Sequence, residues 1–397
     1  MVLERLGSGL SKLPRASKRR VLVHGVSVGE VKAALPIVRA IEEAYPELEV
    51  WICCTTNTGT KVAHDLFPGN QVVRFPADLS FVVRRFLRVV DPSLVLLVEL
   101  EIWPNFLRAC NRDQRTVAVV NGRITEMSHG YYLWSRDVLP QFNRISLFCV
   151  QLEEYAARFR RLGVAQERLF TSGNIKVDGL RTGWIDPGTE IRDLLGGSGG
   201  QLVLVAGSTH AGEELMLAKA WRQFAPESRL IIVPRHPERC AQLMDGLGKQ
   251  GFEPQLLSAL RSGKEQPMPT RLVLVDTIGE LERIYGLADL VFVGASLVPK
   301  GGQNVLEPAA QGRAMCFGPH VRNFRQEVAM LKDFGACRQL EDESELGPAL
   351  REMLDDEALR KSMGQAGIKA VVAQRGASQK TLQALSALVL ERLGHRS

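Results

Sequence analysis

Short apolar runs recur along almost the whole chain, each followed by helical periodicity, and that rhythm restricts the fold more than any other feature. From Arg20 onward the runs fall at residues 21–23, 50–54, 72–75, 94–98, 117–120 and 147–150. Runs of this kind, separated by helices, specify βαβ wiring and a parallel sheet. Helix starts are predicted after Ser27, after Asn57 and Thr58, and at Pro104, since proline suits a first helical position. The pattern breaks over residues 181–200 into turn-rich and glycine-rich sequence. It restarts at 202–206, 230–233, 272–275 and 290–293, and closes with an amphipathic helix near 379–393. These signals predict an α/β protein with a first domain over 1–182, a linker over 183–200, a second domain over 201–375, and a helix over 376–397 packing back on the first. Two doubly wound sheets joined by one hinge would bind ligands in a cleft between the carboxyl ends of their strands.

A chain of 397 residues suits two such cores. A formal charge of +6 favours an anionic partner such as a phosphate, a nucleotide or an acidic lipid surface. No basic run is interleaved with aromatics, so nucleic acid is not expected as a partner. The seven cysteines show neither a C-x-x-C pair nor zinc spacing, and they read as reduced core thiols. No stretch approaches the ~20 apolar residues of a membrane span. The lead-in before the first strand carries Lys12, Arg15, Lys18, Arg19 and Arg20 and no apolar segment. It reads as a disordered basic lead-in, with contact to acidic lipid as the alternative.

Candidate chemistry collects at the strand ends. His24 to Glu30 closes the first strand and opens a helix, which places Ser27, Gly29 and one carboxylate at the sheet edge. Glu30 is the candidate general base, because a sugar hydroxyl needs its proton removed as it attacks. The competing reading is a first-turn acid complementing the helix dipole. Glu99 and Glu101 end the fourth strand, on one face if that strand persists. They would line the cleft or serve the structure by bonding backbone amides or Arg123. Arg123, after the fifth strand, would bind an acceptor phosphate or pair with a glutamate. Lys176 would face the cleft from the hinge or remain an ordinary surface lysine.

In the second half, Ser208 and Thr209 suit a phosphate or a glycosyl carboxylate, or else an N-cap. Arg235, followed by His236, could clamp an anion bidentately. Asp276 would touch a nucleotide or cap a helix, with the cap preferred. The segment from Val293 to Ala310 joins a strand, a glycine turn and a helix start. Gly301 and Gly302 would let backbone amides approach an anion there, beside Gln303 and Asn304, while Glu307 could accept from two ribose hydroxyls. No Asp-x-Asp and no P-loop consensus occurs, so no metal site is expected and the leaving phosphate falls to arginine and backbone amides.

Taken together, Ser27-Val28-Gly29-Glu30, Glu101-Ile102-Trp103-Pro104-Asn105, Asn121-Gly122-Arg123, Gly173-Asn174-Ile175-Lys176, Gly207-Ser208-Thr209-His210, Pro234 to Arg239 and Gly301 to Ala309 resemble the motifs of the Kdo transferases. These GT-B enzymes move 3-deoxy-D-manno-octulosonic acid (Kdo) from CMP-Kdo to a lipid A precursor. The resemblance spans most of the chain. It implies two Rossmann-like domains facing a central cleft, Glu30 as catalytic base, and Ser208, Arg235, Asn304 and Glu307 holding CMP. It further implies inversion, no cofactor, an acidic membrane surface as partner, and work at the cytoplasmic face of a bacterial inner membrane. Gln303 stands where histidine is frequent, and His24-Gly25 replaces a more usual His-Ala. Many members carry a hydrophobic N-terminal anchor, whereas this sequence starts almost at the first strand, so attachment is expected to be peripheral or through an anchor absent here. The alternatives are a UDP-sugar enzyme of the same fold, epimerase or N-acetylglucosaminyl transferase, and a two-lobed binder of sugar phosphates.

Overall fold

Every strand pairing in the computed structural model is parallel. The structure describes residues 2–14, 18–135, 141–197, 200–268 and 272–390. Two units are present, residues 1–179 with 374–397, and residues 180–373. The first holds β1 (Arg20–Gly25), β2 (Glu49–Cys54), β3 (Gln71–Arg74), β4 (Pro92–Val98), β5 (Thr116–Gly122), β6 (Leu147–Val150) and β7 (Leu169–Thr171). Its strand order is β3-β2-β1-β4-β5-β6-β7. The second holds β8 (Val203–Thr209), β9 (Arg229–Pro234), β10 (Gln255–Leu256), β11 (Val273–Leu274), β12 (Leu290–Val293), β13 (Ala314–Phe317) and β14 (Arg338–Gln339). Their order is β10-β11-β9-β8-β12-β13-β14. Both sheets therefore reverse direction beside a central first strand, at β1/β4 and at β8/β12, where doubly wound sheets open a crevice for ligands.

The central strands are apolar on both faces because helices cover both. Val21 and Val23 face one core with Val31, Ile37 and Ile41 of the helix Val28–Ala44. Leu22 points the opposite way, into a core with Phe86 and Phe106. Neighbouring Cys53 and Cys54 likewise enter opposite cores, and all seven cysteines are free thiols.

Three expectations change. The lead-in is packed: Leu10 is buried, and the guanidinium of Arg20 is fully buried, bonded to Glu49 at 2.8 Å and to the carbonyls of Val90 and Pro14, and stacked on Trp51. Arg15 lies outside the described residues. The 183–200 linker belongs to the second unit, because Ile191 and Leu195 of the helix Thr189–Leu195 are fully buried and Trp184 donates to the Gly286 carbonyl at 3.0 Å. Turn-rich sequence here signals a packed connection, not a free one. Finally, the first passage between units falls at 179/180, ahead of the expected linker, while the return at 373/374 puts the closing helix with the first unit. The closing helix spans Ala377–Leu385 and continues as a π turn over Ser386–Leu390; residues 391–397 lie outside the described residues. Asp178 holds that helix in the first unit by accepting from the amides of Gly376 at 2.8 Å and Ser378 at 2.6 Å.

Candidate active site

The loops leaving β1 and β4, neighbours at the first reversal point, carry the acidic groups. Ser27 caps the helix Val28–Ala44, and its hydroxyl oxygen accepts from the Glu30 amide at 3.3 Å. The Glu30 carboxylate answers by accepting from the Ser27 hydroxyl and from the amide of Val26, the residue before the cap, each at 2.7 Å. Glu30 thus helps to close the start of its own helix, and that role does not use up the carboxylate. Burial raises the Glu30 pKa above its ordinary value, against the two hydrogen bonds; the Glu99 charge adds to the rise and Lys176 opposes it. Gly29 is exposed, and a Cβ there would meet the Ser27 hydroxyl at an ordinary 3.8 Å, so sterics do not demand glycine.

β4 stops at Val98, because Glu99 turns to a φ of 65°. Strand alternation consequently does not set the relation between Glu99 and Glu101. Glu99 instead meets the Lys176 ammonium at 2.5 Å. Glu101 has its pKa pushed up to about 7 by burial and by the charges of Glu30 and Glu99. Tyr132 is its neighbour, with its own pKa raised by burial and then by Glu101. Lys176 reaches the group because Asn121, fully buried at the end of β5, accepts from the Ile175 amide at 3.0 Å and anchors the turn Ile175–Asp178. Arg123 is half-buried just after β5. His24 stacks on Phe75 and lies 3.1 Å from the Cys53 carbonyl; burial drives its pKa down to about 4, so it is a neutral packing residue.

In the second unit the loops after β8 and β12 are welded by Glu213. Its fully buried carboxylate accepts from the amides of His210 (2.8 Å), Ala295 (2.7 Å), Ser296 (2.8 Å) and Leu297 (3.0 Å). Ser208, half-buried, turns at a φ of 55°. That turn sends Thr209 inward, where its hydroxyl donates to Glu214 at 3.1 Å, so Thr209 is a buried structural partner and not a ligand contact. Arg239 neutralises Glu214 at 3.0 Å and is likewise occupied.

Arg235, by contrast, is exposed and has no side-chain partner among the described residues. His236 lies beside His210, ring centroids 5.7 Å apart, and His210 is 3.3 Å from the Gln303 amide nitrogen. Asn304 donates to Glu307 at 3.0 Å and accepts from the Leu306 amide. Gly301 and Gly302 have φ of 94° and 79°, which glycine alone adopts without strain. Their expected role at a helix start needs correction. The Gly302 amide is spent on the Ala295 carbonyl at 2.7 Å, and the helix begins only at Leu306 and has five residues. Asp276 accepts from the amide and hydroxyl of Ser258, in the helix Leu257–Arg261, so it is a cap for a helix that precedes it.

Thus Glu30, Glu99, Glu101 and Lys176 form one electrostatic cluster in the first unit. Ser208, Arg235, His236, Gln303, Asn304 and Glu307 lie on strand-end loops of the second. Sequence reasoning missed the tying roles of Glu213, Glu214, Asp178 and Asn121. The paired acids opening the helix Glu213–Phe224 were the one available signal.

A family model described as 3-deoxy-D-manno-octulosonic-acid transferase (kdotransferase) matches residues 2–179. The 3-deoxy-D-manno-octulosonic acid transferase of Haemophilus influenzae is 32% identical over 92% of this chain and 86% of its own length. Its namesake from Bordetella pertussis is 30% identical over 96% and 90%. Among solved structures, a putative UDP-N-acetylglucosamine 2-epimerase from Listeria monocytogenes is 13% identical and superposes with a TM-score of 0.64 over 94% of this chain and 98% of that one. That likeness concerns the fold alone. Relatives at 30% identity or more, matched over nearly the full length, establish that the chain belongs to the 3-deoxy-D-manno-octulosonic acid transferase family of glycosyltransferases.

Proposed function

We propose that this chain transfers Kdo from CMP-Kdo to a hydroxyl of a lipid A precursor in lipopolysaccharide biosynthesis, with inversion and without a metal. The observation that carries the reading is the half-buried Glu30 carboxylate, raised in proton affinity beside Glu99 and Glu101 where the first sheet reverses. A base of that kind removes the acceptor hydroxyl proton while the oxygen forms its bond to the anomeric carbon of Kdo. The bond from that carbon to the phosphate oxygen breaks, and CMP departs with the electron pair. Arg235 and backbone amides near Ser208 meet the phosphate, and Glu307 receives ribose hydroxyls. Lys176, paired with Glu99, limits how far the negative cluster raises Glu30.

Two surfaces of the first unit support a lipid acceptor and an acidic membrane partner. On the helix Glu126–Ser135, Met127, Tyr131 and Trp134 are 85%, 61% and 82% exposed at i, i+4, i+7 spacing, while Tyr132 of the same helix faces Glu101. On the helix Ser80–Val90, exposed Phe81 accompanies exposed Arg84, Arg85 and Arg88. Apolar side chains mixed with arginine suit an anionic lipid surface. Among the described residues no helix is long and apolar enough to cross a membrane.

Incubation with CMP-Kdo and a tetraacyl lipid A precursor in EDTA, followed by mass spectrometry, tests the reading. A product heavier by Kdo units, with release of CMP, is expected. Turnover of a UDP-sugar in its place, or activity abolished by EDTA and restored by a divalent ion, would overturn the donor or the metal-free route respectively.

A further inference from the structure

The second unit contains a cavity of about 230 Å³ whose lining includes Pro299, Gly301, Pro319, His320, Arg322 and Arg325. Its walls come from two segments fastened together. The Asn323 amide donates to the Gly301 carbonyl at 2.9 Å, and the His320 amide donates to the Ser296 carbonyl at 2.9 Å. Ser296, fully buried, donates its hydroxyl to the Val293 carbonyl and accepts from the Gly318 amide at 2.9 Å. Because Ser296 is also held by Glu213, the cavity is rigidly joined to the loops after β8 and β12. A Cβ on Gly301 would stand 2.8 Å from Arg322 Cγ, so glycine there permits the close approach of the two walls.

The lining includes two arginines and a histidine and no carboxylate. Several other arginines of this unit are consumed by the protein: Arg239 by Glu214, Arg261 by Glu190, Arg338 by Glu352. Arg322 and Arg325 have no such partner among the described residues. Two guanidiniums at one cavity, with nothing acidic to offset them, favour an anion. The volume exceeds what a lone carboxylate or phosphate fills and leaves room for ring atoms.

We propose that this cavity is the receptor for the carboxylate of the donor's acidic sugar, with Arg322 and Arg325 as its specificity-determining residues. The inference rests on the donor assigned above. Kdo bears a carboxylate on its anomeric carbon, so its activated form presents two anionic groups close together. Arg235 serves the phosphate, and this cavity serves the acid. A neutral sugar on the same nucleotide would leave both guanidiniums without a counter-charge.

The test uses the full chain and the double variant R322Q/R325Q, exposed positions whose change leaves the folding core intact. The variant is expected to raise KM for CMP-Kdo by about tenfold or more while leaving inhibition by CMP, which lacks the sugar, within about twofold. Equal weakening of CMP and CMP-Kdo would assign the cavity to the phosphate and overturn the proposal, as would no change in either. If the parent protein fails to turn over CMP-Kdo, the donor reading falls separately, and the cavity is read by direct binding of free Kdo against its methyl ester. Preference for the acid that disappears in R322Q/R325Q upholds the site; equal binding of acid and ester overturns it.

Discussion

Each unit places acidic residues in the first turn of the helix that follows its central strand, and the two sets have opposite fates. After β1, Glu30 accepts two hydrogen bonds, stays half-buried and has its pKa raised. After β8, Glu213 is enclosed by four amides, and Glu214 is held by Thr209 and Arg239. Fixed donors make the difference. A carboxylate surrounded by amides and a guanidinium is a structural clamp whose charge is fully offset, whereas one left under-solvated beside other acids retains an appetite for a proton. The same topology thus leaves a carboxylate of raised proton affinity in one unit and consumes the corresponding acids in the other.

The strongest challenge to this contrast is Glu30→Gln. Glutamine keeps an oxygen for the Val26 amide and a polar group beside the Ser27 hydroxyl, so thermal stability should stay near the parent's while turnover falls by about 10²- to 10⁴-fold. Turnover at the parental rate would reduce Glu30 to a cap. Next comes Glu213→Gln, which replaces two acceptor oxygens by one and puts an NH₂ against backbone amides. A loss of about 2–4 kcal/mol in chemical denaturation is expected; an unchanged unfolding curve would show that the clamp is dispensable. Arg235→Ala should raise KM for the donor by about ten- to a hundredfold with no shift in melting temperature, since the side chain is exposed. A shift in melting temperature with KM unaltered would make Arg235 structural.

The smallest effect concerns Glu101. Its folded pKa of about 7 exceeds its ordinary 4.5, so the proton is bound more tightly in the folded state. The stability linked to this group is complete below about pH 4.5 and is lost as pH rises through 7. Glu101→Gln should therefore flatten the decline in stability across that window. A decline as steep as the parent's in Glu101→Gln would remove Glu101 from that linkage.

Much of the framework was legible as pattern. Runs such as Leu94 to Val98 are apolar at every position, which suits strands covered on both sides, and Ser27 followed by Glu30 is a helix start written in four residues. The strands β10 and β14, two residues each, and β7, with three, are too short for a periodic signal, and Ala314–Phe317 lacks β-branched residues. The 183–200 segment misled because glycine and proline report local backbone freedom, while the burial of Ile191 and Leu195 depends on distant partners. Thr209 misled for a related reason: one residue at positive φ, Ser208, reversed the direction of the next side chain.

The amino-acid order by itself determined which residue types end which strands, since that follows from local pattern and turn chemistry. Only the tertiary structure decided what those residues do. Glu30 and Glu99 are separated by two helices and three strands in the chain, and they interact because β1 and β4 are neighbours in the sheet. Lys176 joins them because Asn121, on another strand, fixes the turn beneath it. Proton affinity depends on burial and on charges brought near by folding, and neither quantity is a property of a residue in its sequence alone.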